Sequence, residues 1–455
     1  MRSFKKISPS FYPVLSFLLI ILSGTLALAA LPTRDGRHLS VIDSLFMATS
    51  ATCVTGLSVT DIGTQFTLWG QLTILALIQV GGLGIMTFST VMVMLLGGSV
   101  SFKSRFVLQD VFTQSPQADF YTLLRHVLLF TFSFEAVGAL LLFVRFNDRF
   151  DPGTAAYYAL FHSISAFCNA GFALFSDSFM GYRGDPLINL TLITLIISGG
   201  IGFMVLHELL RERSRSMSLK QHWNRISLHS KMVTSVTAML LVGGAAFFLV
   251  SEWSHTLNGL PLWEKILAAL FQSVTPRTAG FNTLDYGAMN NLTLLATIIL
   301  MFIGASPGST GGGIKTSSLG VLLALSRARL KGSEHVHVFK RSLSDETINR
   351  AFAIFVLSVV IVMLGTAVLL ITEAGDVSLK ASRGLFIELL FETASAFGTV
   401  GLSMGVTPTL TAWGKFLLVL IMYTGRLGPL VIAMAIQPSP RRAKYFYAEE
   451  RVMIG

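Results

Sequence analysis

Four short stretches of this 455-residue chain end alike, in a glycine followed by Leu or Phe: Cys53-Val54-Thr55-Gly56, Cys168-Asn169-Ala170-Gly171, Arg277-Thr278-Ala279-Gly280 and Gly398-Thr399-Val400-Gly401. Their side chains form no nucleophile–base set, so their chemistry is that of the backbone. A dehydrated monovalent cation needs several oxygens at once, of modest field strength so that it can leave again. Carbonyls converging from four loops supply this. Glycine suits such a place because it reaches dihedral angles other residues avoid and leaves no Cβ in the ion's path. No ring of four acidic residues accompanies the stretches, which argues against a divalent cation. The only cysteines, Cys53 and Cys168, have neither metal-ligand nor redox spacing.

The glycines at 56, 171, 280 and 401 recur at intervals of 115, 109 and 121 residues, a repeat that spans the chain. Each follows a short amphipathic stretch opening near Leu45-Phe46, Leu160-Phe161, Leu270-Phe271 or Leu390-Phe391. Ser50, Ser165 and Ser395 stand six residues before their glycines. The third copy departs, with Val274 at that position and Leu270 where the others have Phe ten back.

The elements that must position these stretches are written in the hydropathy. Hydrophobic residues make up 52% of the chain and charged ones 13%, too little polar surface for a soluble domain. Apolar runs of about 20 residues, enough to cross a bilayer, flank every short stretch. The expected helices before the stretches are 11–31, 121–145, 228–251 and 347–372. Those after them are 67–96, 187–210, 291–326 and 413–436, of which only the third reads as strongly broken. The first run follows Arg2, Lys5 and Lys6 and ends in Ala27-Leu28-Ala29-Ala30, so a cleavable signal peptide is the alternative. Its length and its place in the first repeat favour a retained helix.

The net charge of +10 is gathered in short connections: Arg211, Arg213, Arg215, Lys220, Arg225 and Lys231, then Arg327, Arg329, Lys331, Lys340 and Arg341, then Arg441, Arg442 and Lys444. That is the distribution of cytoplasmic loops. It excludes a nucleic-acid face, which needs a folded soluble domain to carry it. With basic connections between repeats, both termini fall on the cytoplasmic side. Segments of about a dozen residues cannot cross the bilayer. They read as re-entrant pore helices, and an interfacial helix in an outer loop is the plainer alternative for any single copy. Irregular backbone at membrane depth is tolerated where it lines a cavity, and helix C-terminal ends aimed there favour a cation.

The expected fold is therefore an all-α integral membrane protein of four helix–pore loop–helix repeats, pseudo-fourfold about one central pore. The repeats are 1–98, 119–212, 226–328 and 345–437, followed by a cytoplasmic tail, 438–455.

Two further features sit close to that axis. The helices after the stretches share a small-residue knot, Gly81-Gly82-Leu83-Gly84, Gly199-Gly200-Ile201-Gly202 and Gly425-Arg426-Leu427-Gly428, in which Arg426 stands where Gly82 and Gly200 stand. An arginine inside a membrane helix is costly and faces a partner or a water-filled path. It reads as an electrostatic barrier under the filter, with an ion pair to Glu135 or Glu392 as the alternative. The third knot is replaced by Gly304-Ala305-Ser306-Pro307-Gly308-Ser309-Thr310-Gly311-Gly312-Gly313-Ile314-Lys315-Thr316. No straight helix survives that sequence. It reads as an intramembrane loop, 304–316, that obstructs the pore until moved, with a packing kink as the alternative. Ile314 before Lys315 breaks the phosphate-loop spacing. His162, Glu264 and Glu392 read as structural and Asn169 as a brace for the second strand. The Arg277 side chain is expected to point back into the protein.

On these stretches, together with Gln79-Val80-Gly81-Gly82-Leu83-Gly84-Ile85-Met86-Thr87 and Thr424-Gly425-Arg426-Leu427-Gly428-Pro429, the sequence resembles the Trk/Ktr/HKT superfamily of potassium transporters over nearly its whole length. It is most similar to the ion-translocating membrane subunit of Ktr systems, where the first repeat also begins almost at once. In that family a filter glycine in every repeat goes with potassium, so Gly56 implies K+, held by filter backbone carbonyls. The resemblance further implies a gate in the 304–316 loop, a barrier at Arg426 and a homodimer in the cell membrane. It also implies a cytosolic ring of RCK-type regulatory subunits. Nucleotide enters only through that partner, and sodium as a co-ion stays open. No bound cofactor and no nucleic acid is expected, and membrane lipid is the surrounding partner. Two other classes are weighed. A transporter with inverted repeats needs paired broken helices and a central polar site. A membrane enzyme needs a metal-ligand set such as His-x-x-Glu-His or His-Glu-x-x-His, neither of which occurs.

Overall fold

The computed structural model describes residues 11–95, 120–211, 218–373 and 382–429, with residues 375 and 431. Arg213, Arg215 and the expected tail 438–455 lie outside the described residues. Four units follow one another. Each opens with a long helix: Phe11–Ala30, Phe120–Phe146, Leu228–Ser251 and Asp345–Glu373. A short helix comes next: Val41–Thr52, Pro152–Phe167, Leu262–Val274 and Ser382–Gly398. Side-chain caps start the first two short helices. Ser40 accepts from the Asp43 N–H at 3.1 Å and Asp151 from the Thr154 N–H at 3.0 Å, satisfying donors a helix cannot pair internally. That N–H also holds the Asp151 carboxyl below its usual range.

The apolar helix closing each unit departs from expectation. The runs 67–96, 187–210 and 413–436 are not continuous, and all four closing helices are interrupted rather than the third alone. Leu68–Leu95 is non-helical at Gly84, with φ 90°. Pro186–Gly200 stops before Gly202, φ 96°, and Phe203–Leu210 leaves it bent by 104°. Ala412–Leu427 ends at Gly428, φ 87°. In the third unit Asn291–Phe302 and Thr316–Leu330 are separated by the loop between them. The cause is a close approach. A Cβ on Gly81, Gly199 or Gly425 would collide with the carbonyl oxygen of Thr52, Phe167 or Phe397, the residue four before each unit's terminal glycine. The first glycine of each knot thus seats the helix on the end of its own short helix. The last glycine then turns the chain through a backbone region that L side chains rarely adopt.

The units close into a ring through polar and aromatic contacts. Lys415 of the fourth lies 2.7 Å from Asp43 of the first. Tyr157 donates to Gln71 at 2.9 Å, second to first unit, and the Phe179 N–H donates to Asn282 O at 3.0 Å, second to third. The Tyr286 and Phe391 rings lie 5.5 Å apart, third to fourth. Outward faces are apolar: Leu19, Leu26, Leu129, Leu140, Val242, Val250, Leu364 and Ile371 are all exposed. So much uncovered apolar surface on long helices suits lipid. Arg125–Phe146, Leu228–Ser251 and Asp345–Glu373 are each long and apolar enough to cross alone. A small antiparallel hairpin, His337–Val338 with Arg341–Ser342, interrupts the basic connection that the sequence reading left without structure.

Candidate functional site

The terminal glycines of the four short stretches meet. A Cβ on Gly56 would lie 2.5 Å from Ala170 O and 3.1 Å from Gly171 Cα. One on Gly171 would lie 2.8 Å from Ala279 O and 2.9 Å from Gly280 Cα. One on Gly280 would collide with Val400 O, and one on Gly401 with Thr55 O, with Gly56 Cα at 2.9 Å. First unit touches second, second third, third fourth, and fourth first again. Strands separated by more than 100 residues form one closed cycle of backbone.

All four have the same conformation. Gly56, Gly171, Gly280 and Gly401 have φ of 97°, 70°, 81° and 92°. The residue two before each, Val54, Asn169, Thr278 and Thr399, also lies at positive φ, 56°, 59°, 71° and 50°. Non-glycine residues rarely go there and pay about 1–3 kcal/mol each when they do. The residue between is not in that region. Such alternation puts successive N–H groups on one side and carbonyls on the other.

The N–H side is accounted for by the short helix. Thr55 N donates to Ser50 O at 2.8 Å, Ala170 N to Ser165 O at 2.7 Å and Val400 N to Ser395 O at 2.9 Å. Ser50 and Ser395 hydroxyls accept from the Gly56 and Gly401 N–H at 3.1 and 3.0 Å. The carbonyls are left to face the cycle, beside helix ends whose partial negative charge favours a cation. Sequence comparison alone made the third copy look deviant at Val274. In the structure Thr275 fills the serine's role one residue later. Its carbonyl accepts from Ala279 N at 2.9 Å, and its hydroxyl donates to Phe281 O at 2.5 Å, as Ser165 does to Phe172 O at 2.8 Å. Phe271, nine before Gly280 rather than ten, carries the same signal: the third copy is one residue short. Gly398 closes its helix rather than opening the strand.

Arg426 and the 304–316 loop lie against this cycle. Arg426 is 7% exposed and has no carboxylate partner among the described residues. Its guanidinium donates to the carbonyls of Thr310 and of Gly81. Glu135, offered by the sequence as its partner, instead accepts from Gln79 at 3.1 Å, and Glu392 accepts from Thr407 at 3.0 Å. The charge is therefore met by backbone dipoles, freed where the helix and loop are broken. Ser306 N donates to Gly200 O at 3.0 Å and Thr310 N to Gly199 O at 3.2 Å, both in the second unit. Gly313 N donates to Gly425 O at 3.3 Å in the fourth, and Gly312 N to Thr399 Oγ1 at 2.9 Å. Through Arg426 the loop is tied to the first unit too, so it spans the space that the units enclose. Close packing requires its glycines: a Cβ on Gly311 would strike Thr278 Oγ1, and one on Gly304 would strike Gly312 O.

Other residues singled out by sequence lie off this line. Asn169 is 3.2 Å from Thr278 Oγ1 and joins the second strand to the third. Arg277 is turned toward Thr237, 3.4 Å from its carbonyl and hydroxyl oxygens. The buried His162 imidazole accepts from the Leu174 N–H at 3.0 Å. Glu264 lies 3.6 Å from Arg183. Among the described residues no group of three or more His, Cys, Asp or Glu is placed to hold a metal.

Comparison with known proteins adds ancestry. A family profile described as "Cation transport protein" (TrkH) matches residues 11–445. The chain is 41% identical over 443 residues to the Ktr system potassium uptake protein B of Bacillus subtilis, covering 97% of this chain and 95% of that one. It is 39% identical to the protein of the same name from Vibrio alginolyticus, covering 97% and 94%. To the potassium/sodium uptake protein NtpJ of Enterococcus hirae it is 36% identical, covering 96% and 95%. The crystal structure of the potassium transporter TrkH from Vibrio parahaemolyticus has the same fold, with TM-score 0.74 at 19% identity, covering 96% of this chain and 86% of that one.

Proposed function

Because this chain belongs to the TrkH family of cation transport proteins, we propose that it is the membrane subunit of a potassium uptake system. K+ passes the cycle of Gly56, Gly171, Gly280 and Gly401, where carbonyls of the four strands stand in for its shed water. The observation that carries this reading is that one αL-then-glycine backbone recurs in all four strands while their side chains differ. What the strands share is carbonyl placement, which is what a cation filter uses.

Arg426 is the barrier below the filter, and the 304–316 loop is the gate. The loop occupies the enclosed space, held by hydrogen bonds to broken helix ends that a modest rearrangement can release. Both termini face the cytoplasm, following the positive-inside bias. The chain works as a homodimer in the cell membrane. A cytosolic nucleotide-binding ring moves the loop, as the relatives' designation as a Ktr system suggests. Sodium assists uptake, in keeping with the name of the Enterococcus relative. Uptake follows the membrane potential, and the chain performs no hydrolysis.

The test is rubidium-86 uptake into proteoliposomes holding the purified chain, with K+ or Na+ as competitor, alongside growth of a potassium-uptake-deficient cell at low external K+. Uptake blocked by K+ but not by equal Na+, with rescue of growth, is expected. Equal competition by the two ions removes the reading.

A further inference from the structure

Three consecutive carbonyls of the loop, those of Thr310, Gly311 and Gly312, are each occupied by a cationic group of the protein itself. Arg426 takes Thr310 O. The ammonium of Lys315 takes the other two, at 2.6 Å from Gly311 O and 3.5 Å from Gly312 O. Lys315 sits at the head of the helix Thr316–Leu330 and reaches back over the loop. No carboxylate pairs with either cation among the described residues. Two like charges thus share one small region, an arrangement that costs free energy and that packing alone does not require.

The loop's placement says what these carbonyls are. Gly312 N bonds Thr399 Oγ1 and Gly311 packs on Thr278. The backbone at 311 and 312 therefore lies directly against the third and fourth strands, and Gly311 O, across the trans peptide from the N–H that Thr399 accepts, points away from them toward Lys315. An ammonium and a dehydrated potassium ion have similar size and seek carbonyl oxygens at much the same distance. On the reading proposed above, we infer that Lys315 is a tethered substitute for the transported ion. It fills a cation site built from Gly311 O and Gly312 O in the closed loop, and a monovalent cation of K+ size takes its place when the loop opens. Gly313, at φ 67°, and Gly308, at φ 69°, carry the loop through a backbone region that L side chains rarely adopt.

Two consequences separate a tethered ion from a packing residue. Removing the charge leaves the site to free ions, so the closed state weakens. Free K+ also competes with the ammonium, so basal flux in the parent rises with internal K+, and this dependence disappears with the lysine. The experiment uses full-length parent, Lys315→Met, Lys315→Gln and Lys315→Arg in proteoliposomes without a regulator. Basal rubidium uptake is expected to rise about tenfold in the two neutral variants, with K+ over Na+ discrimination unchanged, and to rise less in Lys315→Arg, which keeps the charge. Thallium-soaked crystals report directly: an anomalous peak between Gly311 O and Gly312 O is expected in Lys315→Met and not in the parent. Neutral variants that leak no more than the parent, or no thallium at those oxygens, overturn the inference. A Lys315→Met protein that does not fold leaves Lys315→Gln to decide. Because the parent's own K+ uptake is measured in the same vesicles, a failure here is distinct from a failure of the function itself.

Discussion

The guanidinium of Arg426 donates to the carbonyl of Thr310, joining the closing helix of the fourth unit to the loop that interrupts the third. Its second bond, to Gly81 O, reaches the first unit. A single side chain at the position of Gly82 and Gly200 therefore holds three of the four units to one another beneath the glycine cycle. If that contact keeps the loop in place, Arg426→Ala raises basal rubidium flux by about tenfold, the worth of roughly one charge-assisted hydrogen bond. Arg426→Lys, which keeps one donor, falls between. Proteoliposome flux without a regulator measures both, and an unchanged rate in Arg426→Ala refutes the latch.

The glycine cycle predicts loss of discrimination on adding even a small side chain. Gly171→Ala places a Cβ 2.8 Å from Ala279 O at φ 70°, strain of about 1–3 kcal/mol that the adjoining strands must absorb. Gly56→Ser does the same against Ala170 O. Both variants should let Na+ compete with rubidium uptake at concentrations where the parent ignores it. Retained selectivity in both contradicts a carbonyl filter.

Thr275 should behave as the serine of the third unit. Thr275→Ser keeps the hydroxyl on Phe281 O and leaves transport near the parent level. Thr275→Ala removes a buried bond worth about 1 kcal/mol and loosens one strand of four. The expected reading is a weaker apparent affinity for K+ with wild-type expression. Ser273→Ala, whose hydroxyl bonds Leu241 O away from the strand, serves as control and should not shift the affinity.

Shortening the segment 308–313 removes the loop's contacts with Gly199, Thr399 and Gly425. Basal flux should then exceed that of Arg426→Ala, since several of the loop's bonds are lost rather than its single bond to Arg426. A low flux in the shortened chain, with selectivity for K+ intact, means that the loop does not obstruct the path.

Lys415 and Asp43 lie 2.7 Å apart with 14% and 22% of their side chains exposed. They close the ring between the fourth and first units. Asp43→Asn and Lys415→Gln should each lower thermal stability in detergent, and a double-mutant cycle should give a coupling of about 1 kcal/mol, toward the upper end for exposed pairs because this one is partly shielded. Additive effects mean the pair does not tie the units together.

Much of this was legible in the residues. The four long helices stand within a few residues of the apolar runs, because hydrocarbon thickness sets their length whatever packs against them. The short helices were legible from their glycine ends, but they open at Val41, Pro152, Leu262 and Ser382, ahead of the Leu-Phe pairs from which the sequence reading started them. The breaks at Gly84, Gly202 and Gly428 were missed, although the glycines were noted, because an apolar run continues past each of them. A hydropathy pattern does not register a change in φ. The slip at Thr275 was missed for a related reason: counting from the glycine assumes equal strand lengths, and one residue had been lost between hydroxyl and strand. Arg426 was expected to have either water or a carboxylate, and carbonyls freed by broken helices are not visible in a list of side chains.

By itself the sequence determined that this is a helical membrane protein with a fourfold-recurring glycine strand, since both follow from local composition and spacing. Only the tertiary structure decided that the strands meet in a closed cycle, that three of the closing helices turn at the matching glycine while a loop splits the other, and that Arg426 and Lys315 rest on loop carbonyls. Those are relations between residues far apart in the chain, set by how closely one backbone can approach another, and no local pattern encodes that distance.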